Sequence, residues 1–308
     1  MSNDQGMSND AMTKGRWLPS SLVHWALSLG HSLVIGHWAL VILRVIPFAL
    51  NFPPRPVDRI SMEFDVPLKM ARKAQHHLLL LPGLDGSGAL FEPLLEVLPS
   101  TIDATVVSYP PDKSLDYRQL LPSVREVMPW DREVVIVAES FAGPLALRVA
   151  HVQRPNVRAV VLCAAFVSNP VAPSPLRWAT SFLTRHWLDC EPTRSVVRSN
   201  LLGNAAPEAM VDRAVQAMRS VKQEVYQHRV QMIREADARQ DLETCQRPIL
   251  YLQAEDDAFL GRQAMEEIRR IKPDVKCVTV PGPHLLLQRN PEAALQAIRD
   301  FLNELPGP

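Results

Sequence analysis

VVIVAESFAGPLALRVA, Val134 to Ala150, is the stretch whose reading decides the fold. Val134 to Ala138 form a short apolar run of strand character. From Phe141 to Ala150 apolar residues recur at helical spacing, which leaves Glu139 and Ser140 to turn the chain between strand and helix. A serine held in so sharp a turn has the layout of a nucleophile elbow, usually written GxSxG. The residues two before and two after such a serine approach one another closely and must be small. Here both glycine places hold alanine, Ala138 and Ala142. Each adds a single methyl, so the expected elbow is more crowded than a glycine one and still open. Gly143 lets the helix come close to the strand, and Pro144 falls in the first helical turn, where its missing N–H costs nothing.

The same rhythm extends in both directions. HHLLLLPG and ATVVSYP before the elbow, and RAVVLCA, PILYLQA and VKCVTV after it, read as strands. ALFEPLLEVL, SLDYRQLLPSVREVM, GRQAMEEIRRI and PEAALQAIRDFLNEL read as helices among them. Strands of near-continuous hydrophobicity alternating with helices predict an α/β fold: a doubly wound, mostly parallel sheet covered on both faces. Between Asn169 and about Gln246 no strand is legible. That segment, about residues 170–246, is too long for a simple loop and reads as a helical lid insertion followed by a helix returning to the core. Trp178, Phe182 and Trp187, with Leu183 and Leu188, are candidates to line an apolar substrate cleft, or to pack the lid onto the core.

In an open α/β sheet ligands bind beyond the carboxyl ends of the strands, so the residues just after each strand matter most. Ser140 follows EVVIVA; Glu255, Asp256 and Asp257 follow PILYLQA; His284 follows VKCVTV in the loop PGPHLLL. A serine hydroxyl becomes a good nucleophile when a histidine takes its proton, and a buried carboxylate fixes the tautomer and charge of that histidine. The glycine-bearing loop in LLLLPGLDGSGALFEPLLEVLP, between strand and helix, is placed to aim backbone N–H groups at a developing oxyanion. By position the pair is Leu84 and Phe141. A plain tight turn built on Gly83, Gly86 and Gly88 is the other reading of that loop.

From about His76 to the C-terminus the chain resembles α/β-hydrolase fold enzymes, most of all bacterial serine hydrolases carrying PGLDGxG and ESFxGP segments. PGLDGSG (Pro82 to Gly88), ESFAGP (Glu139 to Pro144) and the histidine loop and final helix PGPHLLLQRNPEAALQAIRDFL carry the likeness. The first loop is also similar to that of plastid esterase and acyltransferase relatives acting on lipid esters. The resemblance implies Ser140 as nucleophile and His284 as general base. The acid of the family stands three residues after a small strand-end residue, here Ala254, which implies Asp257; a one-residue shift in the turn would bring Asp256 instead. The sequence departs from the pattern at the two alanines, at Pro82 where a histidine often precedes the loop glycine, and in the N-terminal arm.

These residues imply a serine hydrolase of carboxylic esters or thioesters that works through an acyl-enzyme, with no metal or organic cofactor. The apolar lid and arm favour a small-molecule or lipid acyl ester as partner. Two alternatives keep the same fold: an acyltransferase using the same acyl-enzyme, and a non-catalytic membrane-associated binding module.

Composition sets the outer bounds. The chain has 308 residues, 47% of them hydrophobic, with 33 Lys+Arg against 33 Asp+Glu. No basic surplus points to nucleic acid. Cys163, Cys190, Cys245 and Cys277 form no CxxC pair or metal-finger spacing, so neither a disulfide framework nor a zinc site is expected.

The N-terminus is the anomaly. Residues 1–52 read as a polar leader and an apolar segment, and residues 53–308 as the hydrolase domain. From Trp17 to Leu43 there is no Asp, Glu, Lys or Arg. Ser21, His24, Ser28 and His31 share one side of its first half, while Leu33 to Ile46 is more evenly apolar. Residues 17–46 are therefore expected to anchor in or lie on a membrane, a helix covering the protein itself and a signal-like or mis-started leader being the other options. NFPPRP follows as a stiff linker. Free cysteines favour a catalytic domain facing the cytoplasm. Lys14 and Arg16 before the segment balance Arg44, Arg55 and Arg59 after it, so the positive-inside count leaves orientation open.

Overall fold

The structure, a computed structural model, describes residues 76–152, 156–170 and 193–306. All of them lie in one compact unit, Leu68–Pro308. The apolar arm at 17–46 and the aromatic candidates Trp178, Phe182 and Trp187 lie outside the described residues.

The elements follow the predicted alternation. β1 (His76–Leu81) leads through a 3-10 turn (Ala89–Phe91) into α1 (Glu92–Glu96). β2 (Ile102–Val106), α2 (Tyr117–Val127), β3 (Val134–Glu139), α3 (Gly143–His151) and β4 (Val157–Cys163) come next. Then follow α4 (Arg194–Val197), α5 (Glu208–Arg219), α6 (Gln223–Arg234) and α7 (Arg239–Thr244). β5 (Ile249–Ala254), α8 (Gln263–Ile271), β6 (Lys276–Val280), α9 (Leu286–Arg289) and α10 (Pro291–Glu304) complete the unit.

The strands form one six-stranded sheet in the order β2-β1-β3-β4-β5-β6, and each neighbouring pair is parallel. Alternate residues of the central strands feed two separate cores. Leu79, Leu81, Ile136, Ala138, Val160 and Leu162 pack with Leu145, Leu147 and Val149 of α3 on one face. Leu78, Leu80, Val135, Val137, Ala159 and Val161 pack with Ile298, Phe301 and Leu302 of α10 on the other. Burial on both faces is why these strands read as unbroken apolar runs. Full burial of each Leu or Val contributes roughly 1.5–3 kcal/mol relative to exposure.

Two features of the topology position the site. From β1 the chain steps outward to β2 and then returns past β1 to β3, so the direction of winding reverses between β1 and β3. At such a reversal the loops diverge to opposite faces and leave a crevice beyond the strand ends. The other feature is the segment before β5, where the described residues 193–246 are helical apart from their connections. The stretch APEAMVDRAVQAMRSVKQEVYQHRVQMI breaks at Lys222, whose backbone is extended (ψ 141°). α5 packs with Leu201, Leu202, Leu90 and Leu285 in a cluster of its own. α6 joins the main core through Val225, Val230, Met232 and Ile233.

Candidate active site

Ser140 leaves the end of β3 with φ 50°, in the left-handed region that side chains other than glycine rarely occupy. Strain of this kind keeps the hydroxyl at the tip of the turn. Ser140 to Ala142 make one 3-10 turn that runs into α3, and the Gly143 N–H donates to the Ser140 carbonyl. That carbonyl faces the helix, so the Phe141 N–H in the same peptide unit faces away from it. Phe141 is anchored by the Tyr117 hydroxyl, which donates to its carbonyl at 3.0 Å, and by the Tyr117 ring 5.1 Å from its own.

The alanines beside the serine are accommodated, both fully buried. The true close approach lies one residue further on: a Cβ at Gly143 would come within 2.5 Å of the Phe166 carbonyl oxygen, a backbone atom. Glycine is needed where α3 crosses the chain leaving β4, rather than on either side of the serine.

The loops after β5 and β6 are stitched together by backbone bonds from Glu255 N–H to Val280 O (3.0 Å) and from Asp256 N–H to Gly282 O (2.9 Å). This registry points Asp257 inward and leaves Glu255 and Asp256 exposed. One Asp257 oxygen accepts from the N–H groups of Phe259 and Leu260, at 2.9 and 2.8 Å. The other lies 2.9 Å from His284 Nδ1, and His284 Nε2 lies 2.9 Å from Ser140 Oγ. Nδ1–H therefore donates to Asp257, which leaves Nε2 free to accept the serine proton. The structure thus brings Ser140, His284 and Asp257 together, and Asp256 is not part of the group. Burial acts to lower the pKa of His284, but the charge and hydrogen bond of Asp257, joined by the charge of Glu139, outweigh it and hold the imidazole above its ordinary value.

The crevice at the β1/β3 reversal holds a small cavity of about 30 Å³. It is lined by Gly83, Leu84, Asp85, Glu139, Ser140 and His284, and by the apolar side chains of Leu90, Leu201, Met218, Ile233, Phe259 and Leu285. Met218 and Ile233 come from α5 and α6. In the sequence they look like any inward residues of amphipathic helices, so nothing marked them as cavity residues.

Sequence reading also missed Glu139 as an acid. Its side chain is buried beside Ser140, with Oε2 accepting from Gln288 Nε2 at 3.2 Å and Oε1 without a hydrogen-bond partner among the described residues. Burial pushes its pKa up to about 7, opposed by the positive charge of His284 and assisted by Asp85. The ordinary value, 4.5, lies lower, so the folded state holds this proton more tightly than the unfolded chain does. Stability from this group is complete below about pH 4.5 and is lost as pH rises through about 7. Glu139→Gln keeps the shape without the charge. It is expected to exceed wild type in stability at pH 8 by up to about 3 kcal/mol, and to match it at pH 4.5. Urea midpoints at the two pH values check this, and an equal difference at both would refute it.

Among the described residues no group of three or more His, Cys, Asp or Glu side chains could hold a metal ion. Cys163, Cys245 and Cys277 are free thiols.

The chain belongs to the Alpha/beta hydrolase family, which it matches over residues 65–297. A lipase-esterase related protein from Clostridium acetobutylicum superposes with a TM-score of 0.60 at 15% identity, covering 74% of this chain and 95% of the other. For a hydrolase from Oleispira antarctica the TM-score is 0.63 at 11% identity, with 75% and 92% covered. For a carboxylesterase from Bacillus subtilis it is 0.57 at 18% identity, with 75% and 84% covered. At these identities the likeness is one of fold. Comparison with curated proteins finds no match.

Proposed function

We propose that the protein is a serine hydrolase that cleaves carboxylic ester or thioester bonds through an acyl-enzyme on Ser140. The observation that carries this reading is the unbroken pair of 2.9 Å contacts from Ser140 Oγ through His284 to Asp257. In the first half-reaction His284 Nε2 takes the Ser140 proton as Oγ attacks the substrate carbonyl. Asp257 holds the imidazolium so formed, a division of labour in which base catalysis supplies roughly 10²–10⁴-fold. The negative oxygen of the tetrahedral intermediate is received by the N–H groups of Leu84 and Phe141. His284 then returns the proton to the departing alcohol or thiol, which leaves the acyl group on Ser140. Water repeats the sequence and releases the carboxylic acid.

The apolar wall of Leu90, Leu201, Met218, Ile233 and Leu285 supports an apolar acyl chain as the group held there. On sequence grounds the insertion at about 170–246 covers this site as a lid, with Trp178, Phe182 and Trp187 adding to its wall. The PGLDGSG and ESFAGP segments support a place among bacterial serine hydrolases that carry them. The membrane association expected of residues 17–46 belongs to the same proposal. Among the described residues no helix is long and apolar enough to cross a membrane, and partition of the full-length protein without detergent tests that part.

The reaction is tested with full-length protein on p-nitrophenyl esters from acetate to palmitate, beside labelling by a fluorophosphonate. Labelling at Ser140 with a rate optimum at medium or long acyl length is the expected result. Neither label nor turnover on any ester would overturn the reading.

A further inference from the structure

The loop that carries Leu84 is held by a side chain from a distant part of the sequence. Its outer carbonyls are satisfied by backbone: Gly83 O accepts from Gly86 N–H at 3.1 Å, and Gly86 O accepts from Tyr109 N–H at 2.7 Å. The two between them, Leu84 O and Asp85 O, both accept from Nη1 of Arg229, at 3.0 and 2.9 Å. Nη2 of the same guanidinium donates to Pro110 O at 3.0 Å. Arg229 lies on α6 and is only 2% exposed. Its guanidinium sits against the Tyr109 ring, 5.7 Å from the centroid. Gly86, at φ 67°, leaves it the room, since a Cβ there would fall 2.5 Å from Nη1.

Burying a guanidinium is unfavourable unless its donors are used, and here Nη1 and Nη2 donate to three backbone carbonyls. The N–H and C=O of a trans peptide unit point in opposite directions. The turn bond to Gly83 O fixes the unit that carries the Leu84 N–H, and Arg229 fixes the next unit through the Leu84 carbonyl. Both peptide planes around Leu84 are therefore set, and Leu84 stands in the cavity wall beside Ser140.

We propose that Arg229 is a positioning residue for this site: helix α6, through the Arg229 fork, holds the Leu84 amide ready for the oxyanion that forms on attack by Ser140. The catalytic half of the proposal rests on the serine-hydrolase reading; the anchoring half does not. A preorganised donor acts on the transition state far more than on bound substrate, so its loss falls on kcat. Lysine keeps the charge but lacks the fork and can serve only part of the three carbonyls.

The test uses full-length wild type, Arg229→Met and Arg229→Lys, with p-nitrophenyl butyrate kinetics, inhibition by an alkyl trifluoromethyl ketone that forms a tetrahedral adduct, and amide hydrogen exchange. For Arg229→Met the expected result is a fall in kcat of about 10²–10³-fold with KM little changed, and a matching loss of ketone affinity. Faster exchange should be confined to peptides covering residues 83–88. Arg229→Lys should fall between the two and carries the test if the methionine variant does not fold. Unchanged kcat with unchanged loop exchange would overturn the proposal. So would a loss of activity that accompanies faster exchange across the whole unit, since Arg229 would then serve the fold at large. If wild type shows neither fluorophosphonate label at Ser140 nor ester turnover, the hydrolase reading falls, but exchange still decides: a loop-confined change upholds Arg229 as the anchor, and none refutes it.

Discussion

Ser140→Ala is expected to lower ester turnover by about 10⁶-fold, and His284→Ala by a similar factor, because nucleophile and base act as one unit. The double variant should be little worse than either single one. Ser140 Oγ and His284 Nε2 are 2.9 Å apart, so loss of the base leaves the hydroxyl unactivated, and loss of the hydroxyl leaves the base with no proton to take. The residual rate then comes from binding and from the amides of the loop. Burst kinetics with p-nitrophenyl butyrate provide the check: wild type releases a stoichiometric burst if the acyl-enzyme accumulates, and the variants do not. Near-wild-type turnover in Ser140→Ala would remove this serine from the mechanism.

The second large effect is expected at Asp257. Asp257→Asn should reduce kcat by about 10⁴-fold, since the amide no longer holds the imidazole in the tautomer that presents Nε2 to the serine. Asp256→Asn should leave kcat nearly unchanged, because its side chain is exposed while its backbone N–H, which survives the change, makes the bond to Gly282 O. The pH profile supplies a second readout. Activity needs neutral His284, whose pKa is held above 6.5 with Asp257 as the main opposing influence to burial. The rising limb of the wild-type profile should therefore lie above pH 6.5. In Asp257→Asn burial persists without the carboxylate, so the limb should move to lower pH even as the plateau drops. A limb that stays in place would show that Asp257 does not set the charge of His284.

The same linkage bears on stability. A histidine whose folded pKa is raised stabilises the fold below its ordinary value and loses that contribution as pH rises through the raised one. Glu139 behaves in the same direction, through burial rather than pairing. These two groups together make the site more stable in mild acid, while the neutral His284 that the proposed mechanism requires prevails at higher pH. Working chemistry and site stability thus pull towards opposite ends of the same window.

The sequence by itself determined the elements, the class of fold and the chain order of serine, acid and histidine at the strand ends. Its strands were legible because burial on both faces leaves no polar interruption in runs such as HHLLLL and VVIVA, and its helices because one face alone is apolar. Ser140 was legible because the elbow is a local feature, written in five adjacent residues. What only the tertiary structure decided depends on registry through space. Asp256 and Asp257 are neighbours in the chain and equivalent in type. The bonds from Glu255 and Asp256 to the β6 loop select Asp257 for a histidine 27 residues away. The cavity faces of Met218 and Ile233, the burial of the Glu139 carboxyl and the reach of Arg229 to Leu84 and Asp85 are of the same kind. Local periodicity records only whether a side chain leaves water. Its neighbours after leaving water are set by how separate elements pack, and a single chain read in order does not record that.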